Sequence, residues 1–551
     1  MTFSPTDRSF QISANIVDVH RRRVFPGTVV VHNARIAEII PQIGATYTSY
    51  LAPGFIDAHV HVESSMLPPS EFSRLAVVHG TVATVSDPHE IANVLGMEGV
   101  AWMLAEGAEA AMKICFGAPS CVPATPFDRA GAVLGVAEIE ALLGVPGIGY
   151  LSEMMNYPGV VSGQADLLAK LAAAHRAGLP IDGHAPGLGG PDLAAYVAAG
   201  ITTDHECVEL EEARAKLALG MKILIREGSA AKNFDALWPL LVESPEWCML
   251  CSDDKHPNDL IHGHIDALVR RALANGAELF DVWRAASVHP VDHYSLDVGL
   301  LRAGDSADFI EIDSLDEPRV RRVWIDGELV AQEGVSFVAH RKTVPVNRFT
   351  TSLKKAKDFS IPAEGQRARV IEALDGQLVT GERVVTVETC DGIVMTNVES
   401  DILKLALVDR YGNTPPSVAL VANFGLKQGA IASSVSHDSH NVIAVGVTDD
   451  ELARAVNGVI EAGGGLAIAN GSVLNMLPLP LAGLMSDADG YHVAAEYHRF
   501  DRSAKELGSP LTAPFMTLSF MALLVIPALK LGPMGLFDVV AFQPVSLWVP
   551  N

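Results

Sequence analysis

The chain opens on two short apolar runs, FQISANIVDVH and GTVVVHNARIAEII, which read as β-strands. Near residue 51 the character changes. Compact apolar runs (FIDAHVHV, TVATVSDPH, KICFGAPS, IGYLSEMM, LPIDGHAP, GITTDHE, MKILIREGS and WCMLCSDD) then alternate with Ala/Leu-rich stretches such as ADLLAKLAAAHRAG and PDLAAYVAAG. The runs have strand length and the stretches between them helical character. Eight such pairs within residues 51–296 predict an α/β fold, a (β/α)8 barrel. Residues 297–345 turn strand-rich again, with FIEIDS and VRRVWIDGELVAQEG. With residues 1–50 they predict one small β-sandwich built from both flanks of the barrel. From 346 to 551, strands (RVVTVETC, ILKLALVD, SVALVANFG, NVIAVGV) and the helical DDELARAVNGVIEAG predict a separate C-terminal α+β domain.

Composition narrows the partners. The balance of 49% apolar and 19% charged residues is that of a globular chain with ample core. The formal net charge of -25 repels polyanions, which argues against nucleic acid and for a small substrate. Six scattered cysteines do not form a disulfide framework in a chain of this length, so a reducing, cytoplasmic compartment is expected. The start, MTFSPTDRSFQISANIVDVH, lacks a basic region followed by an apolar one, and no signal peptide is read from it. The uncharged run from Leu511 to Leu529 is long enough to span a bilayer. Its internal Pro, Thr and Ser and its lack of flanking basic residues make it a buried core segment instead, so no membrane partner is expected.

The candidate chemistry lies at the predicted strand ends, which in a barrel form the face where active sites are built. His59 and His61 are two apart on a strand and so point to one side, spaced for one metal ion. Glu153, His184, His205 and Asp253 end the fourth, fifth, sixth and eighth runs. Four histidines and two carboxylates converging from five strand ends need cations to offset their burial. Two divalent ions bridged by a carboxylate would meet that need and generate hydroxide near neutral pH. Glu206 and Asp254 stand beside these candidates, and adjacent strand residues face opposite ways. Their role stays open between support and solvation, with Asp254 an alternative to Asp253 if the strand ends one residue early.

These motifs carry a resemblance. From about Gln11 to about Gly334 the chain resembles the amidohydrolase superfamily, on APGFIDAHVHVESS and GLLRAGDSADFIEID. Within it, HVHVESSM, SDPHEIANVLG, GAPSCVPATPF, LSEMMNYPGV, DGHAPGL, TDHE and CSDD resemble the adenine deaminase family, as does the region from about Arg369 with SSVSHDSHN. The resemblance implies hydrolysis of adenine to hypoxanthine and ammonia in purine salvage, by hydroxide activated at a binuclear centre. It implies that His59 and His61 hold the first metal and that His184 and His205 hold the second. Glu153 would bridge them, in place of the carboxylated lysine of dihydroorotase-like relatives. Asp253 would bind the first metal and shuttle the proton, and His89 would help activate water or substrate. It suggests manganese or iron; imidazole and carboxylate ligands also fit zinc.

Other signals carry less. Cys248 and Cys251 superficially echo the zinc nucleobase deaminases, but Trp247 stands where that signature has proline. On a strand the two thiols would also face opposite sides. Ser436, His437 and His440, in the polar run between GAIAS and VIAVGV, are candidates for substrate binding or a third metal site. The run Gly463–Gly465 lacks a phosphate-loop lysine. Two alternatives stand beside the deaminase: a cyclic-amide hydrolase, for which Lys113 on the third strand would have to supply the bridge since Lys170 falls in a helix, and a non-catalytic barrel scaffold. A homo-oligomer, most simply a dimer, is expected from its prevalence.

Overall fold

A computed structural model describes residues 8–550; the first seven residues of the start discussed above lie outside them. Strands β1 (Phe10–Asp18), β2 (Arg23–His32), β3 (Arg35–Pro41) and β4 (Tyr50–Pro53) form the N-terminal flank. Eight parallel strands follow: β5 (Phe55–Val60), β6 (Thr81–Ser86), β7 (Lys113–Ala118), β8 (Ile148–Met154), β9 (Ile181–Gly183), β10 (Thr203–Asp204), β11 (Lys222–Arg226) and β12 (Cys248–Cys251). Hydrogen bonds complete the two seams. The Thr202 N–H donates to the Ile181 carbonyl at 2.9 Å between β9 and β10. The Asp253 N–H donates to the His59 carbonyl at 2.9 Å between β12 and β5. The sheet thus closes into a barrel. Its strands are buried on both faces, which is why they read as unbroken apolar runs rather than alternating ones. Ala58, Tyr150, Leu224, Met249 and Cys251 fill the interior, whereas Cys248 packs in the cluster outside.

Strands β13 (Phe309–Ile312), β14 (Val320–Ile325), β15 (Glu328–Gln332) and β16 (Val335–Ser336) return to the first flank. The short β4 pairs parallel with β1 and antiparallel with β13, so both flanks join one eight-stranded sheet. Ile16, Val29, Leu51, Phe309 and Trp324 form its core.

The C-terminal region has its own eight-stranded sheet, from Arg367–Ala373 to Val473–Pro478. The helix Asp449–Ala462 packs on it. The Thr448 side chain caps that helix by accepting from the Glu451 N–H, and Gly463, at φ 68°, ends it in the left-handed conformation glycine tolerates. This region sits over the barrel mouth: the Asn441 amide donates to the Arg129 carbonyl, and Arg74 pairs with Asp489 at 2.5 Å. The apolar run 511–529 is broken into the short helix Pro514–Ser519, turns and the start of strand Leu529–Gly532. No helix among the described residues is long and apolar enough to cross a membrane. The run is packed inside, with Phe515, Met516, Leu523 and Ile526 all buried.

Candidate metal and catalytic site

Each of the six candidate ligands stands on a strand end or just past one. His59 lies near the end of β5 and His61 one residue beyond it; Glu153 is on β8. His184 and His205 directly follow β9 and β10, and Asp253 comes two residues after β12. Asp253 has φ 56°, a left-handed turn that swings its carboxylate toward β5. Asp57 fixes the first pair from behind: its carboxylate accepts from the Ser252 N–H at 2.9 Å and lies 2.8 Å from His264 Nε2.

All six side chains are buried and converge. His59 Nε2 and His61 Nε2 lie 3.2 Å apart, each 3.4 Å from Asp253 Oδ1. Glu153 spans the cluster. Its Oε1 lies 3.6 Å from His61 Nε2; its Oε2 lies 3.1 Å from His184 Nδ1 and 3.0 Å from His205 Nε2. Burial alone would raise the Glu153 carboxyl, but His184 and His205 hold it well below the usual carboxylate range.

This donor set fits divalent cations. Imidazole nitrogens and carboxylate oxygens are their common ligands. Two groups, His59–His61–Asp253 and His184–His205–Glu206, each bring their ligand atoms within 4.8 Å of one another. His59 Nδ1 and His184 Nε2 are buried without a protein partner.

Two residues outside the expected set complete the floor. Glu206 lies 3.4 Å from His184 Nδ1 and 3.3 Å from His205 Nε2. It is buried, so the solvated alternative falls; β10 ends at Asp204, and beyond it strand alternation no longer separates His205 from Glu206. Arg226, the last residue of β11, bonds Glu206 with both terminal nitrogens and donates to Asp253 Oδ2 at 2.7 Å. Burial would raise the Asp253 carboxyl, but Arg226 and the two histidines hold it well below its ordinary value. Asp254 accepts from the Ser64 hydroxyl at 2.5 Å and lines the cavity above the cluster. Lys113 points to the opposite end of the barrel, 2.7 Å from Asp308, and Lys170 donates to the Ser120 carbonyl. Neither lysine reaches the cluster.

The roof comes from elsewhere in the chain and rests on the barrel residues His89 and Glu90. His89, at the start of helix His89–Leu95, lies 2.9 Å from Asp87 through Nδ1 and 3.5 Å from Glu153. Its neighbour Glu90 reaches up to His437 Nδ1 at 2.5 Å and to His440 Nε2. His437 stacks on Phe520, with ring centroids 4.3 Å apart and planes at 12°. A narrow cavity separates floor from roof, lined by His61, His89, Glu153 and Asp253 below and His437, Asp438 and Phe520 above. Of the three substrate-binding candidates, His437 lines this cavity. His440 sits behind it on Glu90, and the Ser436 N–H donates to His440 Nδ1. Glu90 stands inside a motif the sequence singles out, whereas nothing in the uncharged run around Phe520 marks it as a roof.

A closed parallel barrel with a buried His/Glu/Asp cluster at its strand ends defines a hydrolase of the amidohydrolase class, and residues 50–330 match the family model described as the amidohydrolase family. Residues 377–543 match the adenine deaminase C-terminal domain. Relatives named adenine deaminase come from Salinibacter ruber, 57% identical over 98% of this chain and 99% of the relative, and from Sulfurovum sp., 53% identical over 96% and 98%. A third, from Methanosarcina acetivorans, is 49% identical over 97% and 98%. The chain belongs to the adenine deaminase family, and membership of the amidohydrolases implies a divalent metal centre.

Proposed function

We propose that this chain hydrolyses adenine to hypoxanthine and ammonia, as the names of its relatives say of them. One observation carries the reading beyond that likeness. The cavity above the cluster offers a buried donor and a buried acceptor with no protein partner: His437 Nε2 and Asp438 Oδ2. Burial would lower the His437 imidazole, but the Glu90 carboxylate pushes it up to about 9, so Nε2 carries a proton at neutral pH. A free purine base has both ring nitrogens that accept and a ring N–H that donates, and it would satisfy both atoms. Phe520, Leu523 and Met155 supply apolar walls for its flat faces. Ser436 and His440 set the position of His437 through Glu90 and the backbone.

His59, His61 and Asp253 would hold one ion, and His184 and His205 the other, with one Glu153 oxygen turned to each set. The ions, when bound, supply hydroxide near neutral pH and polarise the ring at C6. Manganese or iron is the expected metal, with zinc accommodated by the same ligands. In the reaction a C6–O bond forms and the C6–N6 bond breaks; one proton of water passes to the departing amine and the other to the ring. Asp253 is built to carry a proton. Arg226 donates to Oδ2 and Oδ1 faces the histidines, which holds the carboxylate beside the reacting water to take a proton and return it. His89, anchored on Asp87, orients water or substrate beside Glu153. The six cysteines are all unpaired, which suits a reducing, cytoplasmic compartment. A homodimer is the expected assembly.

Ammonia release tests the reading. Protein produced with added manganese is offered adenine, adenosine, cytosine, dihydroorotate and hydantoin separately. Release from adenine alone, with the ultraviolet spectrum of hypoxanthine, is the expected result. No release from adenine by protein holding about two metals per chain would overturn the substrate while sparing the metal centre.

A further inference from the structure

Two cavities meet at the roof. The inner one, above the cluster, holds about 20 Å³, room for about one water molecule. The outer one holds about 910 Å³ and opens to solvent beside Val208, Glu209, Lys232 and the loop at Asp375–Gln377. Leu378, Ile526 and the floor residue Glu206 line both. These two buried aliphatic side chains are therefore the apolar wall between a large open vestibule and a reaction cavity too tight for any purine while the wall stands as it does.

The wall is braced. Leu378 is a buried residue between the exposed Gln377 and Val379, so its place depends on what holds its backbone. Lys530, fully buried, donates from Nζ to the Leu378 carbonyl at 2.7 Å and to the Phe520 carbonyl at 2.9 Å. The Thr380 N–H donates to the Pro527 carbonyl at 2.9 Å, and the Thr380 hydroxyl to the Leu529 carbonyl at 2.8 Å. The segment carrying Leu378 and the segment carrying Ile526 are thus pinned to each other and to Phe520, which itself lies on His437. A substrate entering from the vestibule has to displace the two side chains rather than the backbone behind them.

We propose that Leu378 and Ile526 are specificity-determining residues: a gate between the two cavities whose bulk, braced by Lys530, limits the substrate to an unsubstituted purine base. A base that passes lets the gate close behind it. A purine carrying a large group leaves that group where the side chains must return, while the vestibule beyond has ample room for it. The inference rests on the proposed reaction for the class of ligand, and on the two cavities for the gate.

The test compares adenine with N6-benzyladenine and 9-benzyladenine in the wild type, Leu378→Ala, Ile526→Ala and the double variant. The kcat/KM ratio of substituted purine to adenine is expected to rise about tenfold or more for at least one benzyl compound, since single methylenes in apolar pockets already discriminate by about tenfold or more. Calorimetric binding of the same compounds to metal-stripped protein is expected to shift the same way. Should the alanine variants fail to fold, Leu378→Val and Ile526→Val are expected to show the same direction at smaller size. Unchanged ratios and unchanged binding in folded variants would overturn the gate. A wild type that releases nothing from adenine would overturn the proposed reaction, and the binding arm would still decide the gate.

Discussion

The floor and the roof of this cavity both bury polar groups but hold them differently. In the floor, His59, His61, Glu153, His184, His205 and Asp253 stand on or within two residues of barrel strands, so the sheet's hydrogen bonds set their places. Their charges answer one another directly, and Arg226 adds the one buried cation that ties Asp253 to Glu206. In the roof, His437, Phe520, Leu378 and Ile526 come from turns of the C-terminal region. Those turns are fixed by hydrogen bonds between segments far apart in the chain, chiefly through Glu90 and Lys530. Chemistry placed on a rigid sheet and admission placed on braced turns is a division that lets the second move without disturbing the first. Floor substitutions should therefore act on kcat, and roof substitutions on KM and selectivity.

The largest effect is expected in the floor. Asp253→Asn keeps the shape of the side chain and removes the proton-carrying oxygen. General acid–base transfer contributes roughly 10²- to 10⁴-fold, so kcat for adenine should fall by about 10³-fold. The measurement is steady-state kinetics alongside metal analysis of the same sample. A variant that retains about two metals per chain and most of its kcat would break the assignment of Asp253 as proton carrier.

A smaller effect, on the other parameter, is expected in the roof. His437→Phe keeps the stack on Phe520 and deletes both ring nitrogens. A hydrogen bond from a charged donor is worth about 1.5–3 kcal/mol, so KM should rise about tenfold or more while kcat changes less. A fall in kcat with KM unchanged would move His437 from substrate binding to chemistry and blur the contrast between the two regions.

The same division decides what the sequence discloses. The barrel is legible because β/α alternation leaves a periodic trace, and the floor because a polar residue ending an apolar run, as in FIDAHVHV or LPIDGHAP, contradicts its local pattern. Glu206 is ambiguous in sequence because its facing depends on whether β10 ends at Asp204. Arg226 is silent because a basic residue closing the run KILIR looks like an ordinary strand end, and its partners lie 20 and 27 positions away. The roof is legible only at the polar run Ser434–Asn441. Phe520 and Ile526 lie in a stretch whose composition speaks of burial and equally suits a membrane helix; only their tertiary contacts separate a cavity wall from a core, and Leu378 stands far from it in sequence. Lys530 follows that stretch with no acidic neighbour in sequence to mark it.

Lys530 also supplies the smallest and most selective test of the roof. Its ammonium is buried among backbone carbonyls with no carboxylate facing it, and burial pushes it down from 10.5 to about 7. Between those values the unfolded chain holds a proton on this lysine that the folded chain does not. The folded state is therefore favoured as pH rises from about 7 toward 10.5, and the penalty for burying the charge is fully present below 7. Lys530→Met removes that contribution together with the brace. Denaturant melts of wild type and variant between pH 7 and 10 should diverge, the wild type gaining stability relative to the variant as pH rises. Parallel curves would show that Lys530 titrates alike in both states and is therefore not held in a dry site behind the wall.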